Sequence, residues 1–154
     1  METAEQIVDR LGLAPLPLEG GWFRRTGESP GVRPDGRAAW SEILFLISPG
    51  DFSAMHRLAA DETWTHRGGA PAELLLLGPG GAGRLVTLGP GAERGGRIPA
   101  GVWQGARTDG PWALFACRVE PAWREEDFRL GDAAELLREF PAWAPHIRAR
   151  VREV

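Results

Sequence analysis

The sequence predicts an all-β domain, either a sandwich or a barrel, with short helices at both ends. Short apolar or alternating segments recur between Trp40 and Val119, and clusters of Gly and Pro separate most of them. Many short strands with turn signals between them are typical of sandwiches and barrels rather than of alternating β–α folds. The 154 residues suit one domain spanning the whole chain, residues 1–154.

The first predicted element is a short N-terminal helix. Thr3-Ala-Glu-Gln6 fits a capping box, an apolar stripe follows it, and Gly12 ends the helix. Pro15 and Pro17 prevent the helix from continuing.

A turn and a first strand come next. Glu19-Gly-Gly21 is a turn signal, and Trp22 to Thr26 is predicted as a strand. The Gly- and Pro-rich segment from Gly27 to Gly36 is predicted as a surface loop.

The remaining strands follow from runs that are either continuously apolar or alternate between apolar and polar residues. They are Trp40 to Ser48, Phe52 to Leu58, Thr63 to Arg67, Ala72 to Leu77, Arg84 to Leu88, Gly101 to Ala106 and Trp112 to Val119. A strand is also expected after the solvated acidic run Glu125-Glu-Asp127.

Two helical segments close the chain. Asp132-Ala-Ala-Glu135 is a second capping pattern, which predicts a helix through Phe140 that Pro141 stops. Ala142 to Val151 is predicted as a last short helix.

Composition excludes several function classes. A net charge of -3 argues against binding to nucleic acid, which needs a basic surface. The chain has no Lys and no Tyr, so neither a Schiff-base lysine nor a phenolic acid or base is available. The single Cys117 excludes an intramolecular disulfide and is predicted to be a buried, inert thiol.

We expect a cytoplasmic protein with no membrane partner. The N-terminus shows no basic region followed by an apolar run, and no apolar run approaches the ~18 residues of a membrane span.

The candidate site centres on His56. Because side chains alternate along a strand, His56 is the polar group on an otherwise apolar face of its strand. Glu62 on the next strand is a carboxylate that can orient the imidazole and raise its basicity. Gln104 lies on a strand further on. We therefore predict that His56 and Glu62 are catalytic and that Gln104 contacts the ligand.

Further residues are predicted to bind the substrate. Trp22, Trp64 and Trp103 lie near the motif residues and are candidate walls for a planar ring or a sugar, the alternative being that they only fill the core. His66 joins this set. Arg57 should face away from His56 on their shared strand.

A metal site is the alternative to a metal-free polar pocket. His56, Glu62 and His66 form a two-His, one-carboxylate set on paper. Gln104 is a poor ligand for transition metals. We predict no metal and no cofactor, with a divalent metal on these three residues as the alternative.

These residues lie in motifs that resemble the cupin superfamily and, within it, the Cupin-5 (DUF985) family. The first general cupin motif is matched by Gly50, His56 and Glu62, and the second by Pro99-Ala-Gly101. The pieces that match the narrower family, in family order, are Glu19-Gly-Gly21 with Trp22-Phe23, Phe52 to Arg57, Asp61-Glu62-x-Trp64, Pro99 to Gln104 and Glu126-Asp-Phe128.

The resemblance implies a double-stranded β-helix, the cupin jelly roll, with a conical pocket and usually a homodimer. Such barrels are similar to the RmlC-like sugar-nucleotide epimerases, whose pocket His abstracts a proton without a metal.

The chain also departs from the family pattern. Thr65 stands where many members have His, and the Pro-His-Pro-Glu-Gly-Gly opening of the family is Leu16-Pro-Leu-Glu-Gly-Gly21 here, so Pro17 stands at its His position. Gln104 occupies the His position of the second general motif, and the epimerases' Tyr has no counterpart. These departures weaken both metal chemistry and epimerase-type acid catalysis.

Three functions remain open at this point. The first is a metal-independent isomerase or epimerase-like enzyme acting on a sugar or another polar metabolite, with His56 as general base and Glu62 orienting it. The second is a cupin that binds a sugar or nucleotide without turnover. The third is a metal-dependent cupin enzyme. All three have a small molecule as the partner.

Overall fold

A computed structural model of the protein describes residues 1–152, and its strands account for most of the regular structure. The strands are β1 (Ala14–Pro15), β2 (Trp22–Glu28), β3 (Ser41–Ile47), β4 (Ser53–Leu58), β5 (Asp61–Gly69), β6 (Ala72–Leu77), β7 (Gly83–Leu88), β8 (Gly95–Ile98), β9 (Trp103–Arg107), β10 (Ala113–Glu120) and β11 (Phe128–Leu130). The α-helices are α1 (Ala4–Leu11), α2 (Ala133–Glu139) and α3 (Ala144–Arg148).

The strands form two antiparallel sheets. A six-stranded sheet has the order β1-β2-β3-β10-β5-β8, and a five-stranded sheet has the order β11-β4-β9-β6-β7. The predicted all-β class with terminal helices is therefore confirmed.

Both sheets contribute to one inner core because alternate residues of each strand point between the sheets. Phe45 of β3 and Phe115 of β10 come from the first sheet, and Leu74 and Leu76 of β6 from the second. Trp64 packs edge-on against both Phe rings, with centroid separations of 5.6 Å and 5.1 Å. This core fills one part of the space between the sheets and leaves a cavity in the rest.

The terminal helices cover the outer faces of the sheets. Helix α1 places Ile7 against Leu46 and Leu114, which point away from the inner core. Helices α2 and α3 cover Leu75 and Leu77. β6 is therefore buried on both faces from Leu74 to Leu77, which explains why these four residues form a continuous apolar run.

The predicted helix starts agree with the structure. Thr3 and Gln6 make both bonds of the capping box, and Asp132 accepts the backbone N–H of Glu135. The last predicted helix is shorter than Ala142 to Val151, since α3 covers only Ala144–Arg148 after a 3₁₀ turn at Pro141–Trp143.

Two strands were absent from the sequence prediction. β1 contains only two residues, one of them Pro15. β8 begins in the Gly-rich segment that resembles a turn, and it is a strand because Gly95 to Ile98 pair with Thr65 to Glu62 of β5. Pairing with a neighbouring strand overrode local propensity here.

Among the described residues, no helix is both long enough and apolar enough to cross a membrane.

Candidate functional site

A cavity of about 400 Å³ opens between the two sheets. Its buried lining includes His56, Glu62, Trp64 and Cys117, and its exposed lining includes Leu18 and Trp123. The buried residues form the floor and the exposed ones the mouth. The other lining residues are Leu16, Pro17, Glu19, Phe23, Arg25, Ser41, Ile43, Phe45, Leu58, Val119, Glu125 and Phe128.

His56 lies on the inner face of β4, as predicted, and is 2% exposed. Its Nδ1 lies 2.7 Å from the carbonyl oxygen of Ala54. Because a carbonyl only accepts hydrogen bonds, Nδ1 carries the proton of the neutral imidazole, and Nε2 has a free lone pair. Phe128 stacks on the ring with a centroid separation of 5.4 Å. The ring is thus fixed in both orientation and tautomer.

Glu19 brings a second titratable group to His56. Its Oε1 lies 3.5 Å from Nε2 of His56, and its Oε2 accepts a 2.9 Å hydrogen bond from Ser53. The separation between Oε1 and Nε2 is longer than a typical hydrogen bond, so the Nε2 lone pair stays available to a ligand.

The loop that carries Glu19 is held by backbone geometry. Gly20 has a φ of 95°, and a Cβ there would lie 2.5 Å from the carbonyl oxygen of Phe52. The Glu19 carbonyl accepts from the backbone N–H of Ala54, and the N–H of Gly21 donates to Asp51. The loop therefore packs directly on the start of β4, and this contact carries Glu19 into the cavity.

Glu62 lies on β5 and is held by a buried hydrogen-bond chain. Nε2 of Gln104 donates to Oε1 of Glu62 over 2.9 Å. The indole N–H of Trp64 donates to Oε1 of Gln104 over 3.1 Å. Both ends of the amide are thus engaged, which fixes the orientation of Gln104 and of the Glu62 carboxyl group.

The floor shifts the pKa values of its titratable groups mainly by burial. Burial raises the pKa of Glu19 to about 7, against the hydrogen bond from Ser53. Burial also raises the pKa of Glu62 to about 7, and the charge of Glu19 adds to this effect. Burial lowers the pKa of His56, so the imidazole is largely neutral at neutral pH. The floor therefore holds two carboxyl groups that titrate near neutrality beside a neutral base.

Glu62 makes no hydrogen bond to His56, but the two groups interact through their charges, since the charge of Glu62 raises the pKa of His56 against the larger effect of burial. The hydrogen-bond partner of the imidazole is the Ala54 carbonyl, and the carboxyl group nearest to Nε2 in the contacts of His56 is Glu19. Gln104 is 1% exposed, and its amide group is hydrogen-bonded to Trp64 and Glu62. Gln104 thus orients the Glu62 carboxyl group, and its own side chain is not part of the cavity lining.

Trp103 and Trp22 lie outside the cavity, contrary to the prediction that they form its walls. Trp103 precedes Gln104 on β9, so it points to the opposite face of the sheet and packs beneath the C-terminal helices. There the Arg57 guanidinium lies 4.7 Å from its ring, which confirms that Arg57 faces away from His56. Trp22 packs with Leu46 and Leu114 in the cluster that α1 covers. Trp64 alone of the three lines the cavity.

His66 is not brought to His56 and Glu62. Its Nε2 lies 3.0 Å from the carbonyl oxygen of Ala70, and its ring packs edge-on against Phe115. Within residues 1–152, no group of three or more His, Cys, Asp or Glu residues is arranged to hold a metal ion. The first general cupin motif contains a His-x-His before its Glu, and Leu58 stands at the second His position here. Gln104 stands at the His position of the second motif, so the usual donor set does not fit a metal here.

Sequence reasoning missed Glu19, Ser53 and Phe128 as site residues. Glu19 was assigned to a turn, and Phe128 to a strand after an acidic run. Both lie in segments that match the family pattern, which is the one signal that could have selected them. Cys117 is buried as predicted, and burial raises its thiol pKa, but it also lines the cavity.

The sequence matches the Cupin_5 family, described as "Cupin superfamily (DUF985)", over residues 5–131. The chain belongs to this family. The match covers most of the chain, and it includes every titratable residue of the cavity floor.

Solved structures agree with this assignment. An X-ray structure of a Shewanella oneidensis protein superposes with a TM-score of 0.92 at 29% identity, with 100% of both chains covered. A hypothetical protein from Leishmania major gives a TM-score of 0.87 at 29% identity, covering 99% of this chain and 100% of the other.

A more distant likeness concerns the fold alone. Oxalate decarboxylase from Lactobacillus farciminis, in a formate complex, gives a TM-score of 0.59 at 14% identity, covering 93% of this chain and 43% of that one. These likenesses support the predicted cupin jelly roll. No curated protein matches the sequence.

Proposed function

We propose that this cupin is a metal-independent enzyme that moves a proton on a small molecule bound in the cavity, an isomerase-type activity with His56 as the general base. One observation carries the proposal. A neutral imidazole with a free Nε2 lone pair lies in an open cavity beside two carboxyl groups whose pKa is about 7.

The proton transfer assigns one task to each group. Nε2 of His56 takes a proton from a carbon next to a carbonyl group, and the C–H electron pair moves toward the carbonyl oxygen. Protonated Glu62 gives its proton to that oxygen, so an enol forms without a free charge on it. Glu19 in its carboxylate form stabilises the new imidazolium across the 3.5 Å separation. The imidazolium of His56 then returns a proton to carbon while the Glu62 carboxylate takes back the enol O–H proton, so the carbonyl group re-forms and both residues regain their starting states. Return of the proton to the opposite face of that carbon gives the isomer.

Deuterium incorporation tests the proposal without knowledge of the final product. The protein is incubated in D₂O with a panel of small aldehydes and ketones that carry aromatic or aliphatic groups, and ¹H NMR follows the protons next to the carbonyl. We expect exchange with at least one compound, and its loss in His56→Ala. His146→Ala is the matched control, because His146 packs beside Trp143 on the C-terminal helices, away from the cavity. Equal exchange in His56→Ala and wild type contradicts the proposal.

A binding cupin without turnover is the second candidate. The apolar residues in the lining favour it, since they suit retention of a ligand as well as reaction. A ligand that binds tightly, shows no exchange and is recovered unchanged would support this alternative.

A further inference from the structure

The cavity floor is acidic and has no permanent positive charge to balance it. Its charged and titratable groups are Glu19 from the loop before β2, His56 from β4, Glu62 from β5 and Cys117 from β10. Among the described residues that line the cavity, Arg25 is the only Lys or Arg. It lies exposed at the mouth, where it already pairs with Glu28, and Glu125 faces the mouth as well.

This charge distribution disfavours an anionic ligand. A phosphate or carboxylate group at the floor would meet two carboxyl groups and a neutral imidazole, while Arg25, which could form the bidentate pair that such groups prefer, is exposed at the mouth and paired with Glu28. The walls are mainly apolar, so a sugar would leave most of its hydroxyl groups without partners. A sugar nucleotide therefore fits this cavity poorly.

A cation fits the same groups well. A protonated amine supplies a positive charge that can pair with the two carboxylates, and its N–H groups can donate hydrogen bonds to their oxygens. The rings of Trp64 and Phe128 line the same cavity as these acids; Trp64 belongs to the hydrogen-bond chain of Glu62, and Phe128 stacks on His56. Aromatic faces attract cations in partly desolvated sites.

We infer that the cavity binds a small primary amine in its protonated form, with the ammonium group against Glu19 and Glu62 and an apolar, aromatic-sized body along the walls. The inference rests on the proposed function only in using the same cavity, and it names the class of ligand. A cavity of about 400 Å³ suits a molecule of this size.

Binding should depend on pH in a defined direction. The carboxyl groups must ionise to pair with the cation, so affinity rises as pH passes through the pKa values of about 7 of Glu19 and Glu62. A group with a pKa near 7 is roughly tenfold less ionised at pH 6 than at pH 8. An alkyl ammonium group stays protonated over this range.

Three probes with the same ring and different head groups test the inference: 2-phenylethylamine, 2-phenylethanol and 3-phenylpropionate. Isothermal titration calorimetry at pH 6 and pH 8 measures the affinities. We expect the amine to bind most tightly, with a Kd about tenfold lower at pH 8 than at pH 6, and the alcohol to bind weakly without pH dependence. We expect no binding of the carboxylate.

Variants separate the acids of the floor from general surface charge. Glu19→Gln and Glu62→Gln keep the hydrogen bonds from Ser53 and Gln104, because an amide oxygen also accepts, so the fold should persist. Each should weaken amine binding at pH 8 at least tenfold. Glu126→Gln is the control, since this side chain is 75% exposed and lies outside the cavity lining, and it should bind like wild type.

The outcomes are distinct from those of the proposed function. Equal or tighter binding of the alcohol or carboxylate overturns the inference, as does the absence of amine binding at millimolar concentration. Amine binding without deuterium exchange in any compound supports the inference and removes the proposed enzyme. Deuterium exchange without amine binding overturns the inference and supports the proposed enzyme.

Discussion

Oε1 of Glu19 lies 3.5 Å from Nε2 of His56, although the two residues belong to different motifs of the chain. The contact exists because the loop before β2 docks on the start of β4, where the Glu19 carbonyl accepts from Ala54 and its carboxyl group from Ser53. It brings a base and an acid that titrates near neutrality together in one site.

Glu19→Gln should lower the rate of deuterium exchange by about tenfold or more, a typical effect for a group that assists proton transfer. The amide cannot stabilise the imidazolium that His56 becomes, whereas the bond from Ser53 is retained. Exchange rates measured by NMR between pH 5 and pH 9 check this. Wild-type exchange should pass through a maximum near pH 7, because it rises as Glu19 ionises and falls as Glu62 loses its proton, and the variant should lose the rising part of the profile. An unchanged profile would show that Glu19 takes no part.

Glu62→Gln should stabilise the fold at pH 8 and not at pH 4. Burial raises the pKa of Glu62 to about 7 in the folded state, above its value in the unfolded chain, so the folded state binds the extra proton between pH 4.5 and pH 7. The contribution of Glu62 to the stability of the fold is therefore greatest below its pKa in the unfolded chain, and it is lost as pH rises through its pKa in the folded state. Removing the carboxyl group removes this loss, which is about 3 kcal/mol at most.

Urea unfolding at pH 4 and pH 8 measures this difference. Glu42→Gln is a control, since Glu42 is a partly exposed partner of Arg118. A Glu62→Gln variant less stable than wild type at pH 8 would show that the charged form is well accommodated in the folded protein.

Gln104→Leu should destabilise the fold by about 1–3 kcal/mol, because it leaves the Trp64 N–H and one Glu62 oxygen buried without their partner. Loss of the bond from Gln104 should also raise the pKa of Glu62 further. The pH dependence of amine binding reports that shift as a midpoint displaced to higher pH. If Gln104 merely filled space, stability would fall and the midpoint would stay in place.

Trp103→Ala should destabilise the protein by about 3–5 kcal/mol, the usual cost of removing a large core aromatic. Trp103 packs under the C-terminal helices on the face of β9 opposite Gln104, so ligand affinity should not change while the variant is folded. Trp64→Phe should behave in the opposite way, weakening ligand binding because this ring lines the cavity. Thermal unfolding and calorimetry on both variants check the pair.

Gly20→Ala should displace the loop that carries Glu19. The residue has a φ of 95°, and its new Cβ would lie 2.5 Å from the Phe52 carbonyl oxygen, so a cost of about 1–3 kcal/mol is expected. The rate of deuterium exchange and the free energy of unfolding should both fall in this variant. Gly27→Ala is the matched control, because a Cβ at Gly27 meets nothing within 4 Å and no left-handed backbone is required there. Similar effects of both substitutions would argue against the special geometry of Gly20.

The sequence alone determined the fold class, the helix caps and the inward direction of His56. These follow from local chemistry, since a capping box uses residues three positions apart and strand alternation decides which side chains share a face. The same alternation places Trp103 and Gln104 on opposite faces of β9, so the sequence pattern already excludes that both face the cavity. The family motifs in turn marked the segments that contain Glu19 and Phe128 without giving their roles.

Only the tertiary structure decided which groups meet in the cavity. Glu19 lies beside His56 because its loop packs on β4 through backbone hydrogen bonds. Gln104 of one sheet is hydrogen-bonded to Trp64 and Glu62 of the other. His66 and His56 face the same interior and still do not meet, because the position of each along its strand separates them. The raised pKa values of Glu19 and Glu62 come from burial, which is a property of the assembled interior and not of any segment of the chain.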